Sequence, residues 1–314
     1  MTLDDYRQFY ADEIGIAAGL KSAPLLAAYA SVPREKFMGP PPWRIASADA
    51  AMMALMGLPR EGYSTTENPR DLYHNVLVAL DPARYLNNGQ PGALARWIDA
   101  LDLQAGDRVY HLGCGVGYYT AILAEVAGAC GSVLASEVDG VLADRARANL
   151  AAYPNVSVHG GDGAAFDPGE CDAIFINAGV THPHPLWLQR LSPNGRIVLP
   201  LTAARDGTLW GSGIVAKITR RENGFSACPV APVAIYSCTS VRDRELNSQL
   251  GRALASKALF KLRSVRTDPH DQKDTCLAHH EVVCLSTTDL PVGSQTDPAT
   301  ISRSPEPALD RERQ

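Results

Sequence analysis

The middle of the chain alternates between short apolar runs and longer amphipathic stretches. The apolar runs are rich in β-prone residues and predict strands at about 108–112, 132–136, 155–159, 172–177 and 196–200. The stretches between them repeat apolar residues at helical spacing and predict helices at about 118–127, 140–152 and 184–191. This alternation predicts an α/β fold with a mostly parallel sheet and helices on both faces. Such sheets bind ligands outside the carboxyl ends of their strands.

The flanking regions follow different patterns. Before the alternating region, helical spacing predicts helices at about 3–16, 23–30, 43–58 and 93–101. After it, two strand-like runs at 209–218 and 233–238 flank a hairpin-like turn, and we expect them to add antiparallel strands at the sheet edge. A helix at 244–262 and one last strand at 279–286 are predicted to follow.

These patterns divide the chain into four predicted parts. Residues 1–80 form an N-terminal helical region on the substrate side, and residues 81–240 form the α/β core. Residues 241–286 form a C-terminal helix–strand extension. Residues 287–314 contain almost no large apolar side chains, so this tail is predicted to be disordered.

Three glycines follow the strand predicted at 108–112. Gly113, Gly115 and Gly117 allow a sharp turn and a close ligand approach, and the N–H groups of the next helix start then face that ligand. Glu137 ends the following strand, where an acidic side chain can accept both hydroxyls of a ribose. A dinucleotide fold has a third glycine in G-x-G-x-x-G, but tyrosines stand at that position here. The pattern therefore predicts a nucleoside site without a diphosphate cradle, which suits S-adenosyl-L-methionine.

Two further strand ends carry small or polar residues. Asp162 and Gly163 follow the third strand, where a carboxylate can accept a hydrogen bond from an adenine amino group. Asn177 ends the fourth strand, and the small residues after it leave room for the methionine end of the cofactor. The predicted cofactor-binding residues are Gly113, Cys114, Gly115, Gly117, Glu137, Asp162, Gly163 and Asn177.

Composition and charge narrow the class of protein. The net charge of −5 argues against non-specific binding to nucleic acid, and no apolar run is long enough to span a bilayer. Seven cysteines without a C-x-x-C pair, and no recognisable signal peptide, predict a cytoplasmic protein with reduced thiols. His182 and His184 are separated by a proline and lack cysteine or carboxylate partners nearby, and 279–280 is an isolated histidine pair, so no metal site is predicted.

Five motifs in a fixed order resemble one known family. They are Val-Pro-Arg-Glu-Lys-Phe at 32–37, Asn-Gly-Gln-Pro at 88–91, Leu-Gln-Ala-Gly-Asp-Arg-Val at 103–109, the glycine turn, and Leu-Ser-Pro-Asn-Gly-Arg-Ile-Val-Leu-Pro at 191–200. Together these motifs resemble the protein-L-isoaspartate O-methyltransferases, enzymes of protein repair, over about residues 20–240. The first motif carries most of the likeness, since ordinary methyltransferases do not need it.

The resemblance implies a Rossmann-like class I S-adenosylmethionine-dependent methyltransferase that acts on a peptide or protein carboxylate. It places the three glycines around the aminoacyl part of the cofactor, Glu137 at the ribose, and Asp162 with its neighbouring glycine at the adenine. The substrate loop of the family usually reads Thr-Ile-Ser-Gln-Pro. Aligning Gln90 and the proline after it puts Gly89 in place of the serine and Asn88 in place of the isoleucine. These three residues are the predicted substrate-positioning loop.

The absence of the family serine leaves several functions open. An ionised carboxylate needs no general base, so carboxyl methylation tolerates the missing hydroxyl if amides orient the acceptor. Gly89 and the C-terminal extension instead favour a different peptide or a small-molecule acceptor. A non-catalytic S-adenosylmethionine-binding protein is a third interpretation, which the intact glycine turn and Glu137 oppose. A nicotinamide oxidoreductase is disfavoured by the missing third glycine.

Overall fold

The structure is a computed structural model that describes residues 1–47 and 63–290. The α-helices in these ranges are α1 (Leu3–Ala18), α2 (Ala23–Ser31), α3 (Pro91–Ala100), α4 (Tyr118–Ala127), α5 (Gly140–Asn149), α6 (Pro185–Arg190) and α7 (Arg244–Ala255). The strands are β1 (Trp43–Ala46), β2 (Ser64–Thr66), β3 (Leu77–Asp81), β4 (Leu86–Asn87), β5 (Arg108–Leu112), β6 (Ser132–Glu137), β7 (Val156–Gly160), β8 (Cys171–Ile176), β9 (Leu191–Ala204), β10 (Trp210–Arg221), β11 (Gly224–Tyr236), β12 (Ser264–Arg266), β13 (Cys276–His280) and β14 (Val283–Ser286).

A ten-stranded sheet runs through the molecule in the order β13-β14-β12-β11-β10-β9-β8-β5-β6-β7. Strands β7, β6, β5, β8 and β9 are parallel, which confirms the α/β fold predicted for the alternating region. Strand β10 then pairs antiparallel with β9 and with β11. Because β11 runs in the same direction as β9, its end lies at the same edge as the ends of the parallel strands.

Two predictions about the flanking regions are wrong within the residues that the structure describes. The helix expected over 43–58 begins instead as strand β1, which pairs with β2 and β3; the remainder, from residue 48, lies outside the described residues. The β10–β11 hairpin, by contrast, adds antiparallel strands beyond the parallel ones as predicted, and β12, β14 and β13 continue this antiparallel side of the sheet. The single strand expected at 279–286 is the β13–β14 hairpin, whose turn contains neither glycine nor asparagine. The predicted disordered tail lies outside the described residues from residue 291.

Two hydrophobic cores cover the two faces of the sheet. Helices α1 to α5 share one core, which includes Tyr10, Tyr118 and Ile122. The other core lies under α6 and α7 and includes Trp187 and Leu250. The N-terminal helices therefore pack on the same sheet face as the helix that follows the glycine turn. Among the described residues, no helix is long and apolar enough to cross a bilayer.

Arg34, in the motif at 32–37, holds the chain in place just before β3. Its side chain is fully buried and its guanidinium donates to three carbonyl oxygens, those of Leu72, His74 and Val76, at 2.7, 3.2 and 2.8 Å. In the same segment, Asn75 Oδ1 accepts a hydrogen bond from the Gly92 N–H at 2.9 Å. The motif thus fixes both the hairpin β3–β4 and the start of α3, which flank the predicted substrate loop.

The buried histidine of β5 predicts how stability depends on pH. His111 is fully buried, its Nδ1 lies 2.9 Å from Thr120 Oγ1, and burial lowers its pKa to about 3. The unfolded state, with an ordinary pKa near 6.5, therefore binds this proton first, so stability is lost as pH falls below about 6.5. As the pH falls from 7.5 to 5, we expect the free energy of unfolding of wild type to drop by about 2 kcal/mol more than that of His111→Gln.

Urea unfolding at the two pH values measures this difference. His74→Gln, which changes a mostly exposed imidazole, is the matched control for removing a histidine. An equal loss of stability in wild type and His111→Gln would show that this histidine does not produce the effect.

Candidate active site

The three glycines of the turn between β5 and α4 share a left-handed backbone but differ in what surrounds them. Gly113, Gly115 and Gly117 have φ angles of 78°, 56° and 90°, in the left-handed region that side chains disfavour. A Cβ on Gly117 would lie 2.7 Å from Leu150 Cδ1, and one on Gly113 would lie 3.2 Å from the Asn177 carbonyl oxygen. A Cβ on Gly115 would meet nothing closer than 3.9 Å, so the turn is open on this side.

Glu137 lies at the end of β6, next to this open side of the turn. Its Oε2 accepts from the Gly115 N–H at 2.8 Å, and its Oε1 accepts from the Asp139 N–H at 3.0 Å. Burial of the side chain raises its pKa, and these backbone N–H groups oppose that shift. A carboxylate has about four acceptor positions, so two remain for a pair of ligand hydroxyls.

The N–H groups at the start of the turn already donate hydrogen bonds within the protein. The N–H groups of Gly113 and Cys114 both donate to the Ser136 carbonyl oxygen, at 2.9 and 3.1 Å, and the Gly117 N–H donates to the Cys114 carbonyl oxygen at 2.9 Å. The Cys114 side chain is buried in the core shared by the N-terminal helices. The turn therefore contributes its shape and its open side more than a cradle of free glycine N–H groups.

Asn177 and Gly163 are fixed by contacts with the glycine turn and with β5, respectively. Asn177 Nδ2 donates to the Gly113 carbonyl oxygen at 3.3 Å, which ties the end of β8 to the glycine turn. The Tyr110 hydroxyl donates to the Gly163 carbonyl oxygen at 2.7 Å and lies 2.8 Å from Ser136 Oγ. A Cβ on Gly163 would lie 2.2 Å from the same Ser136 Oγ, so only glycine fits there.

Asp162 accepts hydrogen bonds from two directions. Its Oδ1 accepts from the Ala164 N–H at 2.9 Å and from the Ser240 hydroxyl at 2.8 Å. Ser240 follows β11, and no sequence motif marks it because it is far from Asp162 along the chain. The structure thus places the predicted cofactor-binding residues along the ends of β7, β6, β5 and β8.

The predicted substrate loop lies against the start of α4. The Asn88 N–H donates to the Val78 carbonyl oxygen at 2.8 Å, and the Tyr119 hydroxyl donates to the Gly89 carbonyl oxygen at 3.5 Å. Tyr119 is the second residue of the helix that begins after the glycine turn. Gln90 is the residue before α3, and its side chain makes no hydrogen bond to a described residue. The loop and the turn are therefore neighbours.

Asn88 carries an unpaired donor. Its side chain is buried, with 8% exposed, and its Nδ2 finds no hydrogen-bond partner within residues 1–47 and 63–290. A buried amide without a partner costs roughly 1–3 kcal/mol, so such groups are uncommon. The donor is available to a ligand that brings an acceptor oxygen.

Gly89 has a backbone conformation that residues with a side chain rarely adopt. Its φ is 75°, and a Cβ there would lie 2.9 Å from Leu94 Cδ2. The glycine in place of the family serine is therefore part of a different loop geometry, and a serine side chain would be strained in it.

We expect the Gly89→Ser substitution to lower stability and leave methyl transfer no faster than in wild type. The left-handed backbone costs a side chain about 1–2 kcal/mol, and the contact with Leu94 adds to that cost. Urea unfolding and initial rates measure the two effects. Gly207→Ser, also at positive φ but with no atom within 4 Å of the added Cβ, controls for the backbone strain alone. A faster Gly89→Ser enzyme would mean that the loop does accept the family hydroxyl.

The turn of the β3–β4 hairpin contacts residues at or just after the ends of β6 and β11. Arg84 Nη1 forms an ion pair with Asp139 Oδ2 at 2.6 Å, which lowers the pKa of that carboxyl. Tyr236, at the end of β11, donates its hydroxyl to the Arg84 carbonyl oxygen. The centroids of the Tyr236 and Trp210 rings are 4.2 Å apart. These contacts join residues far apart in the chain, so no sequence motif marks them.

The sheet has parallel strands, with a glycine turn after the first and an acidic residue after the second, and an antiparallel strand lies beyond the last. These features define a class I S-adenosylmethionine-dependent methyltransferase. A family model for protein-L-isoaspartate(D-aspartate) O-methyltransferase matches residues 42–222. The chain belongs to that family, which confirms the resemblance drawn from the ordered motifs.

Individual relatives agree with this assignment. Protein-L-isoaspartate O-methyltransferase 1 of Rhodopseudomonas palustris (strain HaA2) is 38% identical over 157 residues, covering 48% of this chain but only 62% of that protein. A Bradyrhizobium relative of the same family name is 30% identical over 204 residues, covering 64% of this chain and 90% of the relative. A solved putative family member from Plasmodium falciparum, in complex with S-adenosyl-L-homocysteine, shares the fold: its TM-score is 0.53 at 16% identity, over 74% of this chain and 98% of that chain.

Proposed function

We propose that this protein transfers the methyl group of S-adenosyl-L-methionine to a carboxylate of a peptide or protein, with an isoaspartyl side chain as the first candidate acceptor. The observation that carries the proposal is Glu137, buried at the end of β6 and fixed beside the open side of Gly115. Family membership and the neighbouring substrate loop support the same activity.

The residues at the strand ends fit this cofactor. Glu137 retains two acceptor positions for the ribose hydroxyls, and the open side of Gly115 gives space for close approach. Asp162 would accept from the adenine amino group, and Asn177 would lie near the methionine end. The bound cofactor supplies a methyl group that its own sulfonium charge activates.

The remaining task of the protein is to place the acceptor carboxylate. A carboxylate is ionised at neutral pH, so no general base is required. The unpaired Asn88 Nδ2 would donate to one carboxylate oxygen, and the free Gln90 amide would donate to the other. Holding the oxygen in line with the methyl carbon and excluding water supplies the rate acceleration.

We expect Asn88→Ala and Gln90→Ala each to lower kcat/KM by about 10- to 100-fold, since each removes one hydrogen bond to a charged oxygen. Binding of S-adenosyl-L-homocysteine, measured by calorimetry, should stay near the wild-type value. Gln8→Ala, on the exposed face of α1, is the matched control and should change neither quantity. Full activity in both loop variants would remove these side chains from acceptor positioning.

The acceptor itself is tested with labelled S-adenosyl-L-methionine, an isoaspartyl peptide and its normal aspartyl twin. Label in the isoaspartyl peptide alone is the expected result. Label in neither peptide, with the cofactor bound in a calorimeter, would overturn the isoaspartyl acceptor. The Gly89 geometry favours a different carboxylate acceptor in that case, and a panel of other peptides and small carboxylic acids would then identify it.

A further inference from the structure

Four side chains of the types that bind metals meet in the C-terminal extension. His270, Cys276, His279 and Cys284 each offer one ligand atom, and these four atoms all lie within 4.8 Å of one another. His270 lies in the loop after β12, Cys276 and His279 belong to β13, and Cys284 lies directly across from His279 on β14. The cluster therefore depends on strand pairing and not on a local sequence motif.

His270 is oriented as a metal ligand would be. Its Nδ1 lies 2.7 Å from the Asp268 carbonyl oxygen, so Nδ1 carries the proton and donates to that oxygen. The other ring nitrogen, Nε2, lies 3.8 Å from Cys276 Sγ, inside the cluster. Metal-bound histidines nearly always have such a partner on the second nitrogen, which fixes the tautomer and the ring orientation. The Asp268 carboxylate in turn accepts a hydrogen bond from Arg266 Nε at 3.0 Å.

His279 has a ring nitrogen without a partner. Its Nδ1 is buried and finds no hydrogen bond in the described part of the chain. The backbone of the same residue is fixed on both sides, since its N–H donates to Gln249 Oε1 at 2.6 Å and its carbonyl accepts from Gln249 Nε2 at 3.1 Å. The unpaired nitrogen is thus held in place by α7 and would gain a partner from a bound metal ion.

The two cysteines complete the set. Cys276 Sγ accepts from the Lys273 N–H at 3.3 Å, a contact that stabilises negative charge on the sulfur. Cys284 is buried on the neighbouring strand. Two sulfur and two imidazole ligands are one of the common structural zinc sets, because tetrahedral Zn²⁺ accepts both types.

We propose that His270 Nε2, Cys276 Sγ, His279 Nδ1 and Cys284 Sγ bind one structural Zn²⁺ ion. Zinc–ligand bonds of roughly 2.0–2.3 Å place tetrahedral ligand atoms about 3.3–3.8 Å apart, so closing around the ion needs shifts of about 1 Å. Four protein ligands leave no open position for substrate, which makes the site structural and not catalytic.

The ion would join the β12 loop, β13 and β14 and hold α7 against them through Gln249. The residue before α7, Asp243, donates its N–H to Thr181 Oγ1 at 3.0 Å, and Arg242 Nη1 donates to the Gly179 carbonyl oxygen at 3.3 Å. Residues 179–181 follow Asn177 at the end of β8. Zinc in the extension would therefore stabilise the supports of the active site without touching it.

Metal content of the full-length protein, purified with reductant and without chelator, tests the proposal. Mass spectrometry of metals is expected to find about one zinc per chain in wild type, and Cys228→Ser, which changes an exposed cysteine on β11, should keep it. Cys284→Ser and His270→Ala should each lose most of the metal. A wild-type chain that holds no zinc, and takes up none from added Zn²⁺, would overturn the proposal.

A second measurement does not depend on how the variants fold. Titrating metal-free wild type with Co²⁺ should give the intense visible absorption of tetrahedral cobalt with thiolate ligands, and zinc should abolish that absorption. A chelator should lower the Tm of wild type while S-adenosyl-L-homocysteine binding persists at 25 °C. Absence of the cobalt spectrum, or intact-mass evidence of a Cys276–Cys284 disulfide in protein kept under reductant, would contradict the zinc site.

Discussion

The Glu137→Gln substitution is expected to weaken binding of S-adenosyl-L-homocysteine by roughly 100-fold or more. The carboxylate would accept from both ribose hydroxyls, and hydrogen bonds to a charged acceptor contribute about 1.5–3 kcal/mol each. Losing the charge and one acceptor oxygen costs about 3 kcal/mol, and each 1.4 kcal/mol is about tenfold in affinity. The glutamine NH₂ would also face the N–H of Gly115 or Asp139, which now donate to the two carboxylate oxygens.

Isothermal titration calorimetry measures this loss directly, and the unfolding midpoint of each variant reports whether the fold is intact. Glu125→Gln on α4 provides the matched control, since it removes the same charge from an exposed position. An affinity of Glu137→Gln within about threefold of wild type would place the ribose elsewhere.

The Arg34→Met substitution is expected to destabilise the fold by about 3 kcal/mol or more. Methionine can fill the space of the stem, but it removes the Arg34 donors from three carbonyl oxygens, the buried one of Leu72 and the half-buried ones of His74 and Val76. Each unsatisfied buried acceptor costs roughly 1–3 kcal/mol, partly offset because the buried charge is removed as well. Urea unfolding at neutral pH measures the change.

Two further variants separate the hydrogen-bond geometry of Arg34 from its charge. Arg34→Lys keeps the charge but not the planar fork, so it should recover only part of the lost stability. Lys36→Met changes an exposed charge in the same motif and should stay within about 0.5 kcal/mol of wild type. A urea midpoint of unfolding for Arg34→Met equal to that of wild type would show that the motif does not fix the chain before β3.

The parallel half of the sheet could be predicted because its signals are local. Apolar runs of strand length, a glycine turn and a helix start lie next to one another in the sequence, so β5, α4 and β6 begin and end within a residue or so of their predicted bounds. Glu137 and Asn177 could be predicted as site residues from their position alone, since carboxyl ends of parallel strands share one edge.

The features that sequence reasoning did not find depend on pairing between distant segments. Strand β1 forms where helical spacing predicted a helix, because β2 and β3 supply partners that outweigh local propensity. The β13–β14 turn has no turn residue, so one strand was predicted in place of two. The contact of Arg84 with Asp139, and the four metal-type ligands near β13, likewise have no signature in the order of residues.

The most direct test of the central claim is the chemical nature of the methylated product. Labelled S-adenosyl-L-methionine is incubated with the protein and an isoaspartyl peptide, and the product is then treated with mild alkali. A carboxyl methyl ester releases its label as volatile methanol, and we predict that wild type gives such label while Glu137→Gln gives almost none. Label that survives alkali, or equal label in both proteins, would contradict a carboxyl methyltransferase whose cofactor site is built around Glu137.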